Sequence, residues 1–329
     1  MRVLKLYCEK CRRVIFIEKQ PKISVIIPAR NEEDVIERCL RSLLNQKVKP
    51  YEIIVVNDGS TDRTKEIVER MMKREKRIRL INFEEGHSAA FARNRGAEAA
   101  RGDVVYFLDA DVEVDDKELI GEIAKAFEDE GIGAVAVGGK GEYKTFLQKC
   151  QHVRAVMSNL LFKTISRYPK YANAVRKDIF DMVGGFDERI FYYEDREFGK
   201  KIAEKTKIGE VKVNPKHIEP STLSEIVRQA KYAGRGISTY NLVKENPLVL
   251  LYPPYPFFWF VFTLCILLSF LNNVFVYAVA LMFLVLLAEV AVAYYLTGML
   301  LPSICFVFFI SPLRAFVIAY SFLVSKLKR

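Results

Sequence analysis

Two aspartates one residue apart, Asp109 and Asp111, follow the apolar run Val104-Val-Tyr-Phe-Leu108, itself preceded by Gly102. A short stretch of β-branched and aromatic residues reads as a core strand, and open α/β sheets collect ligands at the carboxyl ends of such strands. In a locally extended backbone, residues i and i+2 point the same way, so both carboxylates can face one cleft. Two hard oxygen donors suit Mg²⁺ or Mn²⁺, which keeps positions for water and substrate phosphate oxygens. Alone, so common a pattern is better read as a solvated acidic turn, and the rest of the chain decides.

A second strand end offers a complementary chemistry. Asp58 closes the apolar run 52–56 and leads into Gly59-Ser60-Thr61-Asp62 at a helix start. A carboxylate there can accept hydrogen bonds from base or ribose groups, and the turn permits close approach. No GxGxxG or Walker A pattern follows any strand, so dinucleotide and P-loop readings lose their main support. What remains is a nucleotide-binding α/β domain whose phosphates meet a metal on Asp109 and Asp111.

The elements that must position these groups alternate. Strands are expected at 23–28, 52–56, 79–83, 104–108 and 134–138. Between them, helical spacing is carried by Val35, Ile36, Cys39, Leu40, Leu43 and Leu44, by Thr64, Ile67, Val68 and Met71, and by the segments 89–100 and 117–128. Acids at 32–34 suit a positive helix end. Such alternation implies a mostly parallel sheet with right-handed crossovers, flanked by helices. Further on, 146–165 reads as a helix, Gly184-Gly185-Phe186-Asp187 as a turn, and Tyr192-Tyr193-Glu194-Asp195 as the entry to another helix. Thr222-Leu-Ser-Glu225 has the form of a capping box, with Leu223, Ile226, Val227, Ala230, Ala233 and Ile237 on one face.

The 329 residues divide by composition. From 248 to 325 the only charged residues are Glu289 and Arg314. The run 274–296 is long enough to span a bilayer, which takes about 20 helical residues. The run 257–271 is shorter, with Tyr255 and Trp259 as interfacial anchors and Asn272-Asn273 as a turn. The run 299–324 is interrupted by Pro302, Pro312 and Arg314 and reads as a kinked span, a re-entrant pair or an interfacial segment. The expected organisation is an N-terminal extension (1–20), a catalytic domain (21–220), an amphipathic interfacial helix with linker (221–247) and an α-helical membrane region (248–329). The basic tail 326–329 and the absence of a signal peptide point to a multi-pass protein of the plasma membrane with its large domain in the cytoplasm.

The net charge of +10 invites a nucleic-acid reading. The basic stretch 70–79, however, mixes its positives with Glu69 and Glu75 and carries no aromatic stacking pattern, so it reads as a solvated helix face. Basic residues beside a membrane anchor are drawn to anionic lipid. Cys8-Glu-Lys-Cys11 has half the spacing of a zinc knuckle or a redox pair. With no second CxxC and no nearby His, it and the four other cysteines read as free thiols in a reducing compartment.

Taken together, SVIIPARNEEDVIERCLRSLLNQ (24–46), VVNDGSTDRT (55–64), ARNRGAEAARGDVVYFLDADVEV (92–114) and VGGFDERIFYYED (183–195) resemble a family 2, GT-A-fold glycosyltransferase. The resemblance runs in order over about two-thirds of the chain and implies inverting transfer of a sugar from a nucleoside-diphosphate donor with Mg²⁺ or Mn²⁺. By that resemblance Pro28, Arg30, Glu32, Asp58, Arg93 and Asp109 would line the donor pocket. Asn57 stands where an acid is frequent. Asp109 would reach ribose and metal-bound water, Asp111 would bind the metal, and Glu113, or alternatively His217, would assist. Asp195 matches the catalytic base, Glu194 would orient it or contact the acceptor, and Gly185 would lie on the acceptor side. Arg93 and Arg176, by residue type, are candidate phosphate or acceptor contacts, which surface salt bridges explain nearly as well.

Arg228-Gln-Ala-Lys231-Tyr232 resembles the QxxRW signature of processive polysaccharide synthases, with both the Gln and the Arg-Trp pair changed. The membrane region makes the expected acceptor lipid-linked, a polyprenyl phosphate or a lipid-linked glycan. The alternatives are a polysaccharide synthase of the same family, a non-catalytic membrane scaffold, and a nucleotidyltransferase that would release pyrophosphate.

Overall fold

The structure, a computed structural model, describes residues 3–8, 13–18, 20–138, 140–165, 172–190, 194–213, 215–218, 222–236, 256–270 and 274–327. In chain order the strands are β1 (Val3–Cys8), β2 (Arg13–Glu18), β3 (Ile23–Ala29), β4 (Glu52–Asp58), β5 (Ile78–Phe83), β6 (Val104–Phe107), β7 (Val112–Glu113), β8 (Ile132–Val137), β9 (Lys140–Glu142), β10 (Ala174–Arg176), β11 (Lys207–Val211) and β12 (Lys216–Ile218). The helices interleaved with them are α1 (Ile36–Leu44), α2 (Thr64–Met72), α3 (Ala89–Ala99), α4 (Leu119–Ala126), α5 (Phe146–Ile165), α6 (Lys177–Val183) and α7 (Glu194–Ala203), followed by α8 (Leu223–Gly236).

Two compact units result. The first comprises 1–140, 170–188 and 194–217, the second 141–169, 189–193 and 218–329. The helix at 146–165 therefore falls in the second unit, a grouping that contiguous boundaries at 21–220 do not draw.

The first unit is built on a seven-stranded sheet of order β11-β8-β10-β6-β3-β4-β5. Both faces are covered, and the strands show why. Along β3, Ile23, Val25 and Ile27 enter one core while Ile26 enters the other. In β4, Ile53 and Val55 oppose Ile54 and Val56, and in β6, Val104 and Tyr106 oppose Val105 and Phe107. Near-continuous apolar strands of this kind need helices on both sides. The first core takes Ile36, Leu40, Val68 and Ile120 from α1, α2 and α4; the second takes Ala92, Ala97, Phe180 and Phe198 from α3, α6 and α7.

The expected parallel sheet holds except at β10, which runs antiparallel to β6 and β8. At three residues β10 is too short to carry a periodicity signal, and that is why sequence reading passes over it. The chain runs outward through β3, β4 and β5, then returns to place β6 on the other side of β3. Neighbouring strands thus diverge at the carboxyl ends of β3 and β6, where ligands of open α/β sheets sit. The first 20 residues contribute an antiparallel hairpin, β1 with β2, whose Cys8 pairs with Arg13. Cys11 lies outside the described residues, as do Tyr192, Tyr193, Ile237, Tyr255 and Asn272-Asn273.

In the second unit, α5 joins the C-terminal helices in one apolar cluster that includes Cys150, Val153, Met157, Ile226, Leu286 and Phe306. The capping box forms as expected: Thr222 N donates to Glu225 Oε2 at 3.2 Å, and Glu225 N donates to Thr222 Oγ1 at 3.3 Å. Among the described residues, two helices are long and apolar enough to cross a membrane, Val274–Thr297 and Leu300–Ser321. The first exposes Tyr277, Leu281, Leu284 and Tyr295, which the core helix of a soluble protein would bury.

The segment Pro256–Ser269 has 14 residues, short for a crossing. From Leu300 on, the segment 299–324 is one run of helix. Leu300–Cys305 runs through a π turn, Phe306–Ile310, into Ser311–Leu327. Pro302 falls in a first turn, where no partner for its nitrogen is needed, and the π turn accommodates the missing donor of Pro312.

Candidate active site

The carboxylates gather at the ends of β3, β4 and β6. Beyond β6, burial alternates: Leu108, Ala110, Val112 and Val114 are buried, whereas Asp109, Asp111 and Glu113 are only partly so. The backbone is not extended there, however. Val112 N donates to Asp109 O at 3.1 Å, so Asp109-Ala110-Asp111 is a tight turn and not the extended segment that i, i+2 spacing presupposes. The two side chains nevertheless act on one place. Beneath them on α1, the buried Cys39 thiol is pushed up first by desolvation and then by the charges of Asp111, Asp109, Glu32 and Glu113. The Cys39 Sγ lies 3.8 Å from Asp109 O, so the turn after β6 rests against α1.

The loops after β3 and β4 are stitched together. Asn31, with a left-handed φ of 58°, donates its N–H to Ser60 Oγ at 3.0 Å and accepts at Oδ1 from Thr61 N at 2.8 Å. Glu32 N donates to Thr64 Oγ1 at 2.8 Å, and Glu33 N to Asp62 Oδ2 at 3.1 Å. Burial would raise the Asp62 carboxyl, but hydrogen bonds from the hydroxyl and amide of Thr64 and the amide of Glu33 outweigh it and hold the group low. Pro28 pairs with Val56 at the rim of this cleft. The Arg30 guanidinium lies so near Gly86 that a side chain there would meet it at 2.1 Å.

Asp58 is buried, and its carboxylate accepts from His87 N at 2.9 and 3.0 Å, with His87 Nδ1 3.1 Å away. The His87 ring stacks on Phe91, centroids 4.0 Å apart. Asn57 donates to Asn82 Oδ1 at 2.7 Å, while its buried Oδ1 has no partner among the described residues. Sequence reading missed His87. Its signal was rarity, since it is one of only three histidines.

On the opposite wall, α7 begins at Glu194, so Glu194 and Asp195 occupy its first turn. Desolvation is the main cause that raises both carboxyls, tempered at Glu194 by Arg93 and at Asp195 by Arg196 and Arg93. Arg93 Nη1 donates to Glu194 Oε1 at 2.6 Å and Nη2 to Asp109 Oδ1 at 2.8 Å. Next to it, Asn94 accepts from Phe186 N and donates to Phe186 O, both at 2.9 Å, and donates to Glu188 Oε1 at 2.9 Å. Arg95 Nη2 also reaches Glu188, at 2.7 Å. Asn94 and Glu188 are further residues that sequence reading missed. The visible sign was a run of polar residues inside an alanine-rich helix.

Gly185 has φ +66°, and a Cβ there would lie 2.7 Å from Asn94 Oδ1, so its contribution is to let the chain turn against Asn94. Arg176 does not join the site. It pairs with Val104 at the start of β6, and its guanidinium donates to the carbonyls of Ile132 and Phe127, each at 2.8 Å. Asp109 lies five residues further along that strand, roughly 17 Å away at the rise of a β-strand.

Among the described residues, no three His, Cys, Asp or Glu side chains form a ready-made metal cage. Asp109 and Asp111 offer an oxygen-only donor set, which fits a hard cation that keeps water and phosphate ligands. Strand pairing sets Glu113 opposite Lys216 and His217 opposite Val112; the His217 side chain lies outside the described residues.

The comparisons with known proteins agree with this architecture. Residues 24–187 match the family described as "Glycosyl transferase family 2". The chain is 47% identical over 91 residues to the uncharacterized glycosyltransferase EpsJ of Bacillus subtilis, covering 28% of this chain and 26% of EpsJ. It is 31% identical over 205 residues to the probable glycosyltransferase YdaM of the same organism, covering 56% and 47%. A third relative, at 38% over 97 residues, is the GalNAc(5)-diNAcBac-PP-undecaprenol beta-1,3-glucosyltransferase of Campylobacter jejuni, covering 29% and 31%. The chain thus spans about a quarter to a half of the length of these curated relatives.

Among solved structures, the mannosyltransferase PcManGT of Pyrobaculum calidifontis, in complex with GDP-Man and Mn²⁺, superposes with a TM-score of 0.55. At 18% identity, over 94% of this chain and 87% of that one, the likeness is one of fold. Through residues 24–187, the chain belongs to glycosyl transferase family 2.

Proposed function

We propose that the chain transfers a sugar, with inversion, from a nucleoside-diphosphate sugar to a lipid-linked acceptor at the cytoplasmic face of the plasma membrane. The acceptor is a polyprenyl phosphate or a lipid-linked glycan. The observation that carries this reading is the placement of Asp58 at the end of β4 and of Asp109 and Asp111 just beyond β6, on either side of β3, with the loops after β3 and β4 hydrogen-bonded to each other. Asp58, Asn57 and the Arg30 loop form the donor end. Asp109 and Asp111, with Glu113 nearby, would hold Mg²⁺ or Mn²⁺, which when bound supplies positive charge to the leaving diphosphate. With a sugar hydroxyl as acceptor, Asp195 takes the proton from the attacking oxygen, and burial raises its carboxyl, which strengthens it as a base; a phosphate acceptor is already an anion and needs little such help. Gly185 shapes the acceptor-side turn.

Support for a lipid acceptor comes from two sides. Among its described residues, the same polypeptide has two helices long and apolar enough to cross a membrane. The name of the Campylobacter relative places its substrate on a diphosphate-linked undecaprenol. The test is a screen of UDP- and GDP-sugars with membrane lipid extract, in Mn²⁺, Mg²⁺ or EDTA, read by mass spectrometry. A glycosylated lipid with release of nucleoside diphosphate, lost in EDTA, is expected. Release of pyrophosphate, or a product only in the aqueous phase, would sink the proposal.

A further inference from the structure

Arg93 sits on the sheet-facing side of α3 with 7% of its side chain exposed. One guanidinium joins two elements, Glu194 at the start of α7, 101 residues on from Arg93, and Asp109 after β6, 16 residues on from it. The Phe186 ring packs against it, 5.5 Å from Cζ. Arg93, Asn94 and Arg95, three successive residues of one helix, thus grip Glu194, Phe186 and Glu188. Glu194 is 12% exposed on its side chain, whereas Asp109 is 48% exposed. A cation between a largely covered and an open carboxylate lessens the repulsion that Asp109, Glu194 and Asp195 would otherwise share. The planar fork of arginine serves both partners at once, which a lysine ammonium does not.

We infer that Arg93 is a positioning residue. It fixes Glu194, and with it the helix start carrying Asp195, against donor-side Asp109, and it does not itself hold the donor. The acceptor base and the donor's reacting carbon are thereby kept in one geometry. This deepens the proposed glycosyl transfer and rests on it.

The experiment uses the full chain in lipid vesicles containing undecaprenyl phosphate and membrane lipid extract, with UDP-glucose, UDP-GlcNAc and GDP-mannose as donors. Titration of UDP and GDP with Mn²⁺ reports donor binding separately. For Arg93→Lys, kcat is expected to fall about 100-fold, the scale of an ångström of misplacement, while donor KM and nucleotide affinity stay within about threefold, as expected for a change confined to the transition state. Glu194→Gln, nearly isosteric and able to fold without Arg93 being touched, is expected to lose kcat in the same way. The double variant should be no slower than the slower single one, because both remove the same contact.

Loss of nucleotide affinity in step with kcat would make Arg93 a donor ligand and overturn the inference. So would multiplying losses in the double variant, or full activity in either single variant. Failure of the unchanged chain to turn over any nucleotide sugar would instead sink the glycosyl-transfer reading, and the role of Arg93 with it.

Discussion

Asn94 grips the backbone of Phe186 from both sides, accepting its N–H at Oδ1 and donating from Nδ2 to its carbonyl, each at 2.9 Å. A side-chain amide can close such a ring because it carries one donor and one acceptor group; a carboxylate cannot. Asn94→Asp keeps the shape but turns an acceptor toward the Phe186 carbonyl and a negative charge toward Glu188. Leaving a buried carbonyl without its donor costs about 1–3 kcal/mol. Denaturant unfolding should show a lower midpoint with an unchanged slope. An unaltered midpoint would mean that the ring contributes nothing.

Gly184 and Gly185 both have positive φ, at 75° and 66°, yet their surroundings differ. Nothing lies within 4 Å of a Cβ built on Gly184, whereas one on Gly185 meets Asn94 Oδ1 at 2.7 Å and Phe180 at 3.0 Å. Gly184→Ala should therefore cost only the left-handed backbone, about 1–2 kcal/mol. Gly185→Ala should cost more and also lower kcat, since Asn94 must give way. Thermal unfolding of the two variants side by side checks the order, and equal losses would contradict it.

Arg176 tests the division between scaffold and site. Three backbone carbonyls, those of Ile132, Phe127 and Asp129, accept from its guanidinium at the far end of the strands. Arg176→Met should lower the unfolding midpoint, with hydrogen bonds to a charged group worth about 1.5–3 kcal/mol each at most. Donor KM and kcat of the folded protein should stay the same. A rise in acceptor KM alone would restore it to the site.

The parts of this molecule legible in its sequence are those where one local pattern points to one outcome. The alternating faces of β3, β4 and β6 are written as unbroken apolar runs, and the reciprocal bonds of Thr222 and Glu225 follow from a four-residue spacing. Relations made across the fold were not readable. Arg93 could be marked as a site residue, but no local signal says that its partners are Asp109 and Glu194. Arg176 is a candidate acceptor contact by residue type alone; only the register opposite Val104 reveals which end of the strand it serves. The Asp109–Asp111 turn was misjudged for a related reason, since spacing in a strand and spacing in a tight turn look the same until the Val112 to Asp109 hydrogen bond is seen.

Asp195 yields the sharpest prediction, because its chemistry and its environment pull the same way. Burial raises the carboxyls of Asp195 and its neighbour Glu194, so the two titrate above the ordinary range near 4. A base acts only when deprotonated; kcat/KM should therefore fall as the pH drops through these raised values, with an acid limb displaced toward neutrality. Linkage gives the opposite sign for stability. The folded state holds these protons more tightly than the unfolded chain, so stability declines as pH rises from the ordinary carboxyl value through the raised ones. Asp195→Asn should flatten both dependences. Its effect on rate also reads the acceptor. A phosphate is already an anion and needs little help, so a loss below about tenfold would indicate one, whereas a hydroxyl acceptor should lose about 10²–10⁴-fold. Full activity with an unchanged acid limb would remove Asp195 from proton transfer altogether.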